Sequence, residues 1–515
     1  MRYTLPLGSR SFGPLCIMHQ AKVVELEPRP TNSDAALVDQ DYDAPELSAS
    51  GRTSSPQRRP KPRGDPSQDS ASTVTVFPKQ LNSILAETVI VVPCKDEEVE
   101  VIKGVVAGIP GGCAVILVSN CSRQYGENGW EAQARMLSEF IDWGREGCFV
   151  HQKYCAAARA FKEAGVPEIL DPETGRIRNG KGEGMYLGIA LARSYFPKHQ
   201  YIGFIDADNR IPGSVTEYCK AYAGGFASAP LFAAESGSTP EDVMVRICWA
   251  SKPKHNSKTG RIEFMEQGRS SRIVNTFLNK LFVVEGEDRE FITTGNAGEH
   301  AMTMEMALRM QMANGYAIEP FQFIEPLLRH SSSSRRDAVD SFESKPNDSR
   351  TTHVLQIKTA NPHLHRETNN DHITKMWAAG LGALYHHLPS ITTAAGLGTK
   401  TVADLRKAMH RFALENGAIE DTEELPCARI YPPLDCADLD LFRYYLGEPC
   451  LSYDGSKGLW FYGLVEERAW FNDGSDSPTD QSISGSENES SYSDDRRSFA
   501  SSEEEVLSDF SKSGE

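Results

Sequence analysis

The sequence predicts an α/β fold, in which a Rossmann-like, mostly parallel sheet is flanked by helices and lies between disordered N- and C-terminal tails. Between about residues 85 and 425, apolar runs of strand length alternate with helical patterns. This alternation is typical of parallel sheets that are covered on both faces. Polar residues follow several of the apolar runs, and open α/β sheets bind ligands beyond the carboxyl ends of their strands. Both chain ends are rich in polar residues, which indicates disorder.

The predicted elements of the first half follow one another at short intervals. The apolar runs TVIVVPC, CAVILVSN, GCFVHQ and YIGFIDAD predict four strands, at 88–94, 113–120, 147–152 and 201–208. The segments between them predict helices at 96–109, 130–144, 153–165 and 183–196. We therefore expect one domain at 81–425, with a first half at about 85–210 and a second half at about 211–390.

The two chain ends are expected to be disordered extensions, at 1–80 and 473–515. Residues 1–80 hold no sustained hydrophobic period, and 52–72 is rich in Pro, Ser and Arg. Residues 473–515 carry twelve acids and three bases among many serines, a net charge of −9. Such segments cannot bury enough apolar surface to offset their ordering entropy. The acidic tail is interpreted as a solubilising extension or as a phosphorylated regulatory element, and 426–472 as an extension of uncertain structure.

Composition excludes several classes of protein. The net charge is −17 and leaves no large basic face, which argues against nucleic-acid binding. No apolar run approaches the roughly 18 residues of a membrane span. The 11 cysteines form no C-x-x-C pair, which argues against zinc ribbons and disulfide scaffolds. We expect a cytoplasmic protein without nucleic-acid or membrane partners, and the sequence leaves a homodimer open.

Residues that could carry chemistry lie at the predicted strand ends. Asp206 and Asp208 end the fourth strand, where a period of two would point both carboxylates the same way. Two adjacent carboxylates repel each other unless a cation lies between them, and hard oxygen ligands suit Mg²⁺ or Mn²⁺. In GKGEG (180–184), glycines would let the backbone approach a ligand, and Lys181 would offer a point charge to a phosphate. The Walker A spacing is absent, which argues against an ATPase.

In their order along the chain, these motifs resemble a known family. PxKxE after the first strand is followed by VSN, HQK, GKGEGM, FIDADN, TGNAGEHAMT and NPHxH. The series is similar to that of mannosyl-3-phosphoglycerate synthases, retaining glycosyltransferases of the GT-A fold, over roughly residues 88–388. The resemblance implies that mannose is transferred from GDP-mannose to 3-phosphoglycerate with retention, giving GDP and mannosyl-3-phosphoglycerate, a precursor of mannosylglycerate. It implies a nucleotide-sugar site in the first half, an acceptor site in the second and a divalent metal, Mg²⁺ or Mn²⁺.

The resemblance also implies roles for individual residues. Donor binding falls on Pro93, Lys95, Glu97, Ser119, Lys181, Asp206 and Ala207. Acceptor binding falls on Gly268, Arg269, Ser271, Asn296, Glu299 and His300. Catalytic roles fall on Asp206, Asp208, Lys181 and Arg269. A guanidinium, a hydroxyl and a helix N-terminus, as in GRSSRIVN, together suit an anionic acceptor.

The metal is expected to be held by Asp208, with Asp206 nearby and a histidine from NPHLH. His363 and His365 are two residues apart after a β-like run, so both would point to the same side. The resemblance places a metal histidine near here, and we favour His363 while leaving His365 open. Either histidine alone could instead be a surface residue.

Other residues keep two interpretations. Glu299 and His300 lie at a predicted helix start and either belong to a capped helix or line the sugar or acceptor pocket. Trp249, Lys252 and Lys254 either form a strand end with solvated lysines or face the phosphates. The role of the HQK triplet at 151–153 stays open, and a structural role is preferred.

The negative charge of the leaving group explains why the expected mechanism needs positive charges in the site. Departure of GDP builds negative charge on the β-phosphate, which the metal and Lys181 would neutralise. The sequence does not indicate two carboxylates at the spacing that glycosidases use, so we expect no covalent glycosyl-enzyme intermediate. The resemblance implies that a leaving-group phosphate oxygen acts as the base. Alternatives are a glucosyl-3-phosphoglycerate synthase or another GT-A transfer to a small phosphorylated acid, a sugar-nucleotide pyrophosphorylase, and a non-catalytic scaffold.

Overall fold

The computed structural model describes most of the chain between residue 73 and residue 447, together with parts of the N-terminus. The described residues are 1–4, 7–12, 16–27, 73–235, 241–256, 260–282, 290–332, 350–365, 370–395 and 399–447. The stretch 52–72 and the acidic tail 473–515, both expected to be disordered, lie outside the described residues. Within the described part, no helix is both long and apolar enough to cross a membrane.

A sheet of eleven strands organises the fold. The strands of the described chain are β1 (Arg2–Thr4), β2 (Gly8–Ser11), β3 (Cys16–Glu25), β4 (Thr73–Thr75), β5 (Thr88–Cys94), β6 (Ala114–Ser119), β7 (Gly147–His151), β8 (Tyr201–Phe204), β9 (Asp242–Cys248), β10 (Lys252–Asn256), β11 (Arg261–Met265), β12 (His300–Thr303), β13 (Met312–Ala313), β14 (Thr352–Lys358) and β15 (Ile430–Tyr431). The order in the large sheet is β4-β1-β3-β14-β9-β12-β8-β5-β6-β7, with β2 beside β3. The pairs β10-β11 and β13-β15 stand apart from it.

Strand directions confirm the predicted mostly parallel α/β class. Strands β3, β14, β9, β8, β5, β6 and β7 share one direction, and so does β4. Strands β1, β2 and β12 run the opposite way. The reversed β12 lies between β8 and β9, in the middle of the sheet, so its beginning adjoins their carboxyl ends.

Helices cover both faces of the sheet. They are α1 (Pro78–Leu85), α2 (Val99–Gly108), α3 (Trp130–Asp142), α4 (Cys155–Glu163), α5 (Lys181–Tyr195), α6 (Pro212–Glu235), α7 (Arg269–Leu281), α8 (Met304–Arg309), α9 (Ile318–Ser332), α10 (Asn370–Ala395), α11 (Thr399–Glu415) and α12 (Leu439–Leu446). Along β5, Val89 and Val91 enter one core, whereas Ile90 and Val92 enter the other, as the period of two requires. The first core contains residues of α4, α5 and α7–α12, and the second contains residues of α1, α2, α3 and α6.

The four strands and four helices predicted for the first half are present, as β5–β8 and α2–α5. One boundary differs in a way that matters for the site. Strand β8 ends at Phe204, so Asp206 and Asp208 lie in the turn that follows and not on the strand. The expectation that a strand period of two aligns the two carboxylates is therefore wrong.

The N-terminus departs most from expectation. Strand β3 pairs in parallel with β14 from Cys16 to Lys22, deep in the sheet, and Cys16 and Met18 are fully buried. The prediction that residues 1–80 form a disordered extension is therefore wrong for the described N-terminal strands. Polar residues inside β3 hid the strand: His19 lies buried there, with Nε2 2.9 Å from Nδ1 of His353. Such a strand shows no simple hydrophobic period.

The fold also continues past the expected domain boundary at residue 425. Helix α12 packs on α4 and α5, and the rings of Phe442 and Phe161 are 4.8 Å apart. Tyr431 in β15 donates a hydrogen bond to Glu183 in α5 over 2.7 Å. Part of the segment that was left uncertain thus supports the helix that begins with Lys181. The division into donor and acceptor halves stays a prediction.

Candidate active site

The topology brings most of the singled-out motifs to one edge of the sheet. Because β5, β6, β8, β9 and β14 are parallel, the residues that follow them lie at a common carboxyl edge. Strand β12 runs the other way, so the residues that precede it lie at the same edge. The residues brought there are Lys95, Ser119, Asp206, Asp208, Trp249, Glu299, His363 and His365.

Lys181 lies at the centre of this edge, between two carboxylates. Its Nζ is 2.5 Å from Oδ1 of Asp206 and 2.5 Å from Oε1 of Glu319. Burial alone would lower the pKa of Lys181, but the two carboxylates outweigh burial and hold the pKa well above its ordinary value. Lys181 is therefore a permanent positive charge. Glu319, in the first turn of α9, was not anticipated, because no motif surrounds it and the chain separates it from Lys181 by 138 residues.

Two glycines make this arrangement possible by close packing. A Cβ on Gly298 would collide with Oδ2 of Asp206 and lie 3.0 Å from Nζ of Lys181. A Cβ on Gly182 would collide with the carbonyl oxygen of Ala313. We expected the glycines of GKGEG to let the backbone approach a ligand. At Gly182, the missing side chain instead makes room for the protein's own backbone at Ala313.

Asp208 faces His365. Oδ2 of Asp208 is 3.8 Å from Nδ1 of His365, and both side chains are partly exposed. Burial, with repulsion from Asp206 and Glu97, raises the pKa of Asp208 to about 7. The positive charges of Lys181 and Lys252 offset part of this repulsion.

His363, whose ring centroid is 5.4 Å from that of His365, is turned into an aromatic pocket. Its ring stacks on Trp249 at 4.0 Å, and its Nδ1 is 3.2 Å from the hydroxyl of Tyr218 and 3.7 Å from Oε1 of Glu299. The side chain is only 3% exposed. The structure thus places His365, and not the favoured His363, beside Asp208.

Glu299 is a fully buried carboxyl group. The indole Nε1 of Trp249 donates a hydrogen bond to its Oε2 over 2.9 Å, whereas Oε1 has no hydrogen-bond partner among the described residues. Burial, with repulsion from Asp206 and Asp208, raises the pKa of Glu299 to about 8. The group is therefore predominantly protonated near neutral pH.

His300 is a core residue at the beginning of β12, so the expectation of a helix start here is wrong. Its Nδ1 is 3.0 Å from the carbonyl oxygen of Gly298, and its ring stacks on Phe204 at 4.9 Å. Burial lowers the pKa of His300 well below its ordinary value, so the imidazole is neutral. It is fully buried, and the acceptor role implied for it finds no exposed surface.

The donor-side residues are partly occupied by contacts within the protein. The backbone N–H of Lys95 donates to Oε2 of Glu97 over 2.5 Å. Ser119 is fully buried, and its hydroxyl donates to Gln133 over 2.6 Å. Pro93 is half-buried and Ala207 is buried. Glu97 and Ser119 thus already have hydrogen-bond partners within the protein, whereas the side chain of Lys95 is exposed.

The HQK triplet is structural, as expected. Nε2 of Gln152 donates to the carbonyl oxygen of Arg178 over 2.7 Å, and Nζ of Lys153 donates to that of Ile177 over 2.5 Å. Nε2 of His151 is 3.0 Å from the carbonyl oxygen of Cys121. The triplet therefore fixes the loop that leads to Lys181.

A small, partly open cleft lies beside the first turn of α7. Trp249, Gln267, Ser271, Thr293 and Asn296 are among the residues that line it. Gly268 precedes the helix and Arg269 begins it, as predicted; Nη1 of Arg269 donates to Oδ1 of Asn370 over 2.8 Å. The N-terminal amides of a helix and a guanidinium favour an anion in or near this cleft.

Arg246 is a buried residue near the site that was not anticipated. It is fully buried in β9, and its guanidinium donates to the carbonyl oxygens of Thr294, at 2.8 Å, and Glu319, at 3.1 Å. These bonds tie the segment before β12 to the start of α9. The only signal in the sequence was an arginine within the apolar run VMVRIC. Hydrophobicity alone does not show whether such an arginine is buried or exposed at the edge of a sheet.

The site offers donors suited to a metal but does not complete a ligand set. Among the described residues, no group of three or more His, Cys, Asp and Glu side chains is arranged to hold an ion. Asp208 and His365 could supply two donors, with Asp206 close by, and substrate phosphates or water could supply the rest. The raised pKa of Asp208 fits such a role, because a cation would relieve the repulsion that causes it.

The family profile and the curated relatives that match this sequence carry the same family name. The profile of mannosyl-3-phosphoglycerate synthases matches residues 5–446. The mannosyl-3-phosphoglycerate synthase of Pyrococcus furiosus is 35% identical over 371 residues, which are 72% of this chain and 86% of that protein. The enzyme of the same name from Aeropyrum pernix is 31% identical, over 63% of this chain and 78% of that protein.

The solved structures are more distant. A glucosyl-3-phosphoglycerate synthase from Mycobacterium tuberculosis, in complex with Mn²⁺, UDP-glucose and phosphoglyceric acid, is 14% identical, with a TM-score of 0.38; the match covers 69% of this chain and 94% of that chain. The same enzyme with Mg²⁺ and UDP has a TM-score of 0.34 and is 14% identical, over 62% and 84% of the two chains. A likeness this low supports no conclusion about donor, acceptor or metal.

Proposed function

Since this chain belongs to the mannosyl-3-phosphoglycerate synthase family and is therefore a glycosyltransferase, we propose that it transfers mannose from GDP-mannose to 3-phosphoglycerate. The products are GDP and mannosyl-3-phosphoglycerate, a precursor of mannosylglycerate, and the anomeric configuration is retained. The observation that carries the proposal is the convergence of Lys181, Asp206, Asp208 and His365 at the carboxyl edge of the sheet.

A divalent ion, Mg²⁺ or Mn²⁺, is the cofactor that these residues fit. Asp208 and His365 would hold it, with Asp206 beside them, and the bound ion would stabilise negative charge on the departing diphosphate. Lys181 adds a positive charge to the same cluster and fixes Asp206 through their ion pair. Glu319 holds Lys181 from the other side, so the ammonium stays in place when Asp206 has another partner.

The acceptor is proposed to bind in the cleft beside the first turn of α7. 3-Phosphoglycerate is strongly anionic, so its site must offer several donors. Arg269, the hydroxyl of Ser271 and the amides at the start of α7 supply them, and Asn296 lines the same cleft. Gln267 and Thr293 add polar groups that can bind the hydroxyl or carboxylate of the acceptor.

Retention without a covalent glycosyl-enzyme agrees with the electrostatics. Glu299 is a fully buried carboxyl group of the site, and burial, the main cause of its raised pKa, favours its protonated form. A protonated carboxyl group is a poor nucleophile. We therefore propose that the acceptor hydroxyl approaches on the face from which the phosphate leaves, and that a phosphate oxygen takes its proton.

A donor panel with product analysis tests the proposal. The purified chain is given 3-phosphoglycerate and, separately, GDP-mannose, GDP-glucose and UDP-glucose, and the anomeric configuration of the product is determined by NMR. We expect GDP-mannose to be used best and the product to be the α-mannoside of an α-linked donor. Preference for a glucose donor would identify a glucosyl-3-phosphoglycerate synthase, and a β-linked product would contradict retention.

A further inference from the structure

The loop that carries both histidines, residues 359–365, is held by the beginning of α6. The hydroxyl of Ser214 donates to the carbonyl oxygen of Pro362 over 2.7 Å. Just before the helix, the N–H of Arg210 donates to the carbonyl oxygen of Leu364 over 2.7 Å. We name residues 359–365 the histidine loop.

Glu217, one turn further along α6, makes the strongest of these contacts. It is 1% exposed, and its carboxylate accepts hydrogen bonds from two consecutive backbone amides. Oε1 accepts from Ala360 at 2.5 Å, and Oε2 accepts from Asn361 at 2.8 Å. A carboxylate that accepts two amides is a strong, directional clamp, because hydrogen bonds to a charged acceptor exceed neutral ones. Both oxygens are used on the histidine loop.

The same helix start also carries the aspartate side of the site. Asp208 lies four residues before the first residue of α6, and between them the buried Asn209 accepts a hydrogen bond from the N–H of Ile211 over 3.0 Å. One rigid element therefore holds Asp208 from one direction and the histidine loop from the other. Asp208 and His365, whose Oδ2 and Nδ1 atoms are 3.8 Å apart, thus lie on two segments that meet at the beginning of α6.

We propose that Glu217 is a positioning residue that sets the affinity of the site for a divalent metal by holding His365 opposite Asp208. The inference rests on the proposed function only in that the metal site is formed by Asp208 and His365. No sequence motif and no family resemblance indicated Glu217. Its role is inferred from its contacts in the structure. A residue that merely stabilised α6 would affect unfolding and leave metal affinity unchanged in the folded protein.

Binding of Mn²⁺ alone tests the proposal without turnover. Free Mn²⁺ is measured by electron paramagnetic resonance while it is titrated into the full chain, at a temperature where circular dichroism shows every variant to be folded. In Glu217→Gln one amide keeps an acceptor, while the new NH₂ group opposes the other amide. We expect about 10- to 100-fold weaker Mn²⁺ binding, the usual effect of changing a group that orients a metal ligand.

Thr216→Val is the matched control. Thr216 is the neighbouring residue in α6, and its hydroxyl donates to the carbonyl oxygen of Gly108 over 2.7 Å, away from the histidine loop. Both variants lose a hydrogen bond of the same helix, but only one loses a contact with the histidine loop. We expect Thr216→Val to bind Mn²⁺ within about twofold of the wild type, since its bond to Gly108 positions no ligand.

Asp208→Asn separates failure of this inference from failure of the proposed function. Weak Mn²⁺ binding in Asp208→Asn with wild-type binding in Glu217→Gln overturns the role of Glu217 and leaves the metal site standing. Wild-type binding in both variants overturns the metal site as well. If Glu217→Gln does not fold, Ser214→Ala, which removes only the bond to Pro362, decides: weakened Mn²⁺ binding supports positioning by α6, and wild-type affinity overturns it.

Discussion

The buried carboxyl group of Glu299 should make the free energy of unfolding depend on pH. The substitution Glu299→Gln should remove this dependence. Folding raises its pKa from 4.5 to about 8, mainly by burial. The folded state therefore binds this proton more tightly than the unfolded state. Its contribution to stability is complete below about pH 4.5 and is lost as the pH rises to about 8. Glu299→Gln keeps the shape and an oxygen that can accept from Trp249, but it carries no titrating proton.

The size of the effect follows from the shift. A difference of roughly 3.5 pKa units at about 1.4 kcal/mol per unit gives an upper figure of about 5 kcal/mol. Between pH 5 and pH 8, linkage gives a loss of about 3 kcal/mol from this group alone. Asp208, with its pKa also raised, adds a loss in the same direction; because Asp208 and Glu299 repel each other, the difference between wild type and variant measures Glu299 together with its coupling to Asp208.

Urea unfolding of the metal-free protein at pH 5, 6, 7 and 8 measures the difference. We expect the free energy of unfolding of the wild type to fall between pH 5 and pH 8 by about 3 kcal/mol more than that of Glu299→Gln. Thr216→Val, whose lost hydrogen bond to the carbonyl oxygen of Gly108 involves no titrating group, is a control that should keep the wild-type pH profile. Parallel profiles for wild type and Glu299→Gln would show that Glu299 is ionised in the folded protein, and the explanation of its burial would fail.

Three further predictions test other parts of the account. His365→Ala should abolish metal-dependent turnover, whereas His363→Ala should mainly lower the Tm, because His363 packs against aromatic rings; calorimetry beside kinetics checks this, and the reverse pattern would contradict it. Arg269→Ala should lower kcat/KM for 3-phosphoglycerate about 30- to 900-fold, or about 2 to 4 kcal/mol, with GDP binding nearly unchanged; equal losses in calorimetric GDP affinity would make Arg269 structural. Deleting residues 1–25 should prevent folding, because it removes β3, whereas deleting 473–515 should leave specific activity unchanged; a folded, active protein without 1–25 would refute the first part.

The sequence was sufficient for the elements that obey a simple period. Strands β5 to β8 read as continuous apolar runs because both of their faces are buried. Helices α3 and α4 show amphipathic patterns, whereas α5 is buried almost all round. The polar residues after these strands were correctly expected at one edge of the sheet. Strand β3 was missed, because buried His19 and half-buried Gln20 interrupt its apolar residues and their partners lie on distant parts of the chain.

The contacts that complete the site were beyond the reach of sequence reasoning. Glu319 meets Lys181, and Glu217 meets Ala360 and Asn361, only after the chain has folded. Nothing in the spacing of NPHLH decides between its two histidines. The loop geometry does, because it turns the first imidazole onto Trp249 and the second towards Asp208.

The most direct test of the central claim is formation of product from the two proposed substrates, with and without a chelator. The purified full chain is incubated with GDP-mannose, 3-phosphoglycerate and Mg²⁺ or Mn²⁺, and GDP and mannosyl-3-phosphoglycerate are quantified together. The account predicts equal amounts of both products, loss of both when the chelator is in excess, and recovery when metal is restored. No product with metal present, or the same rate with the chelator in excess, would contradict a metal-dependent transfer at this site.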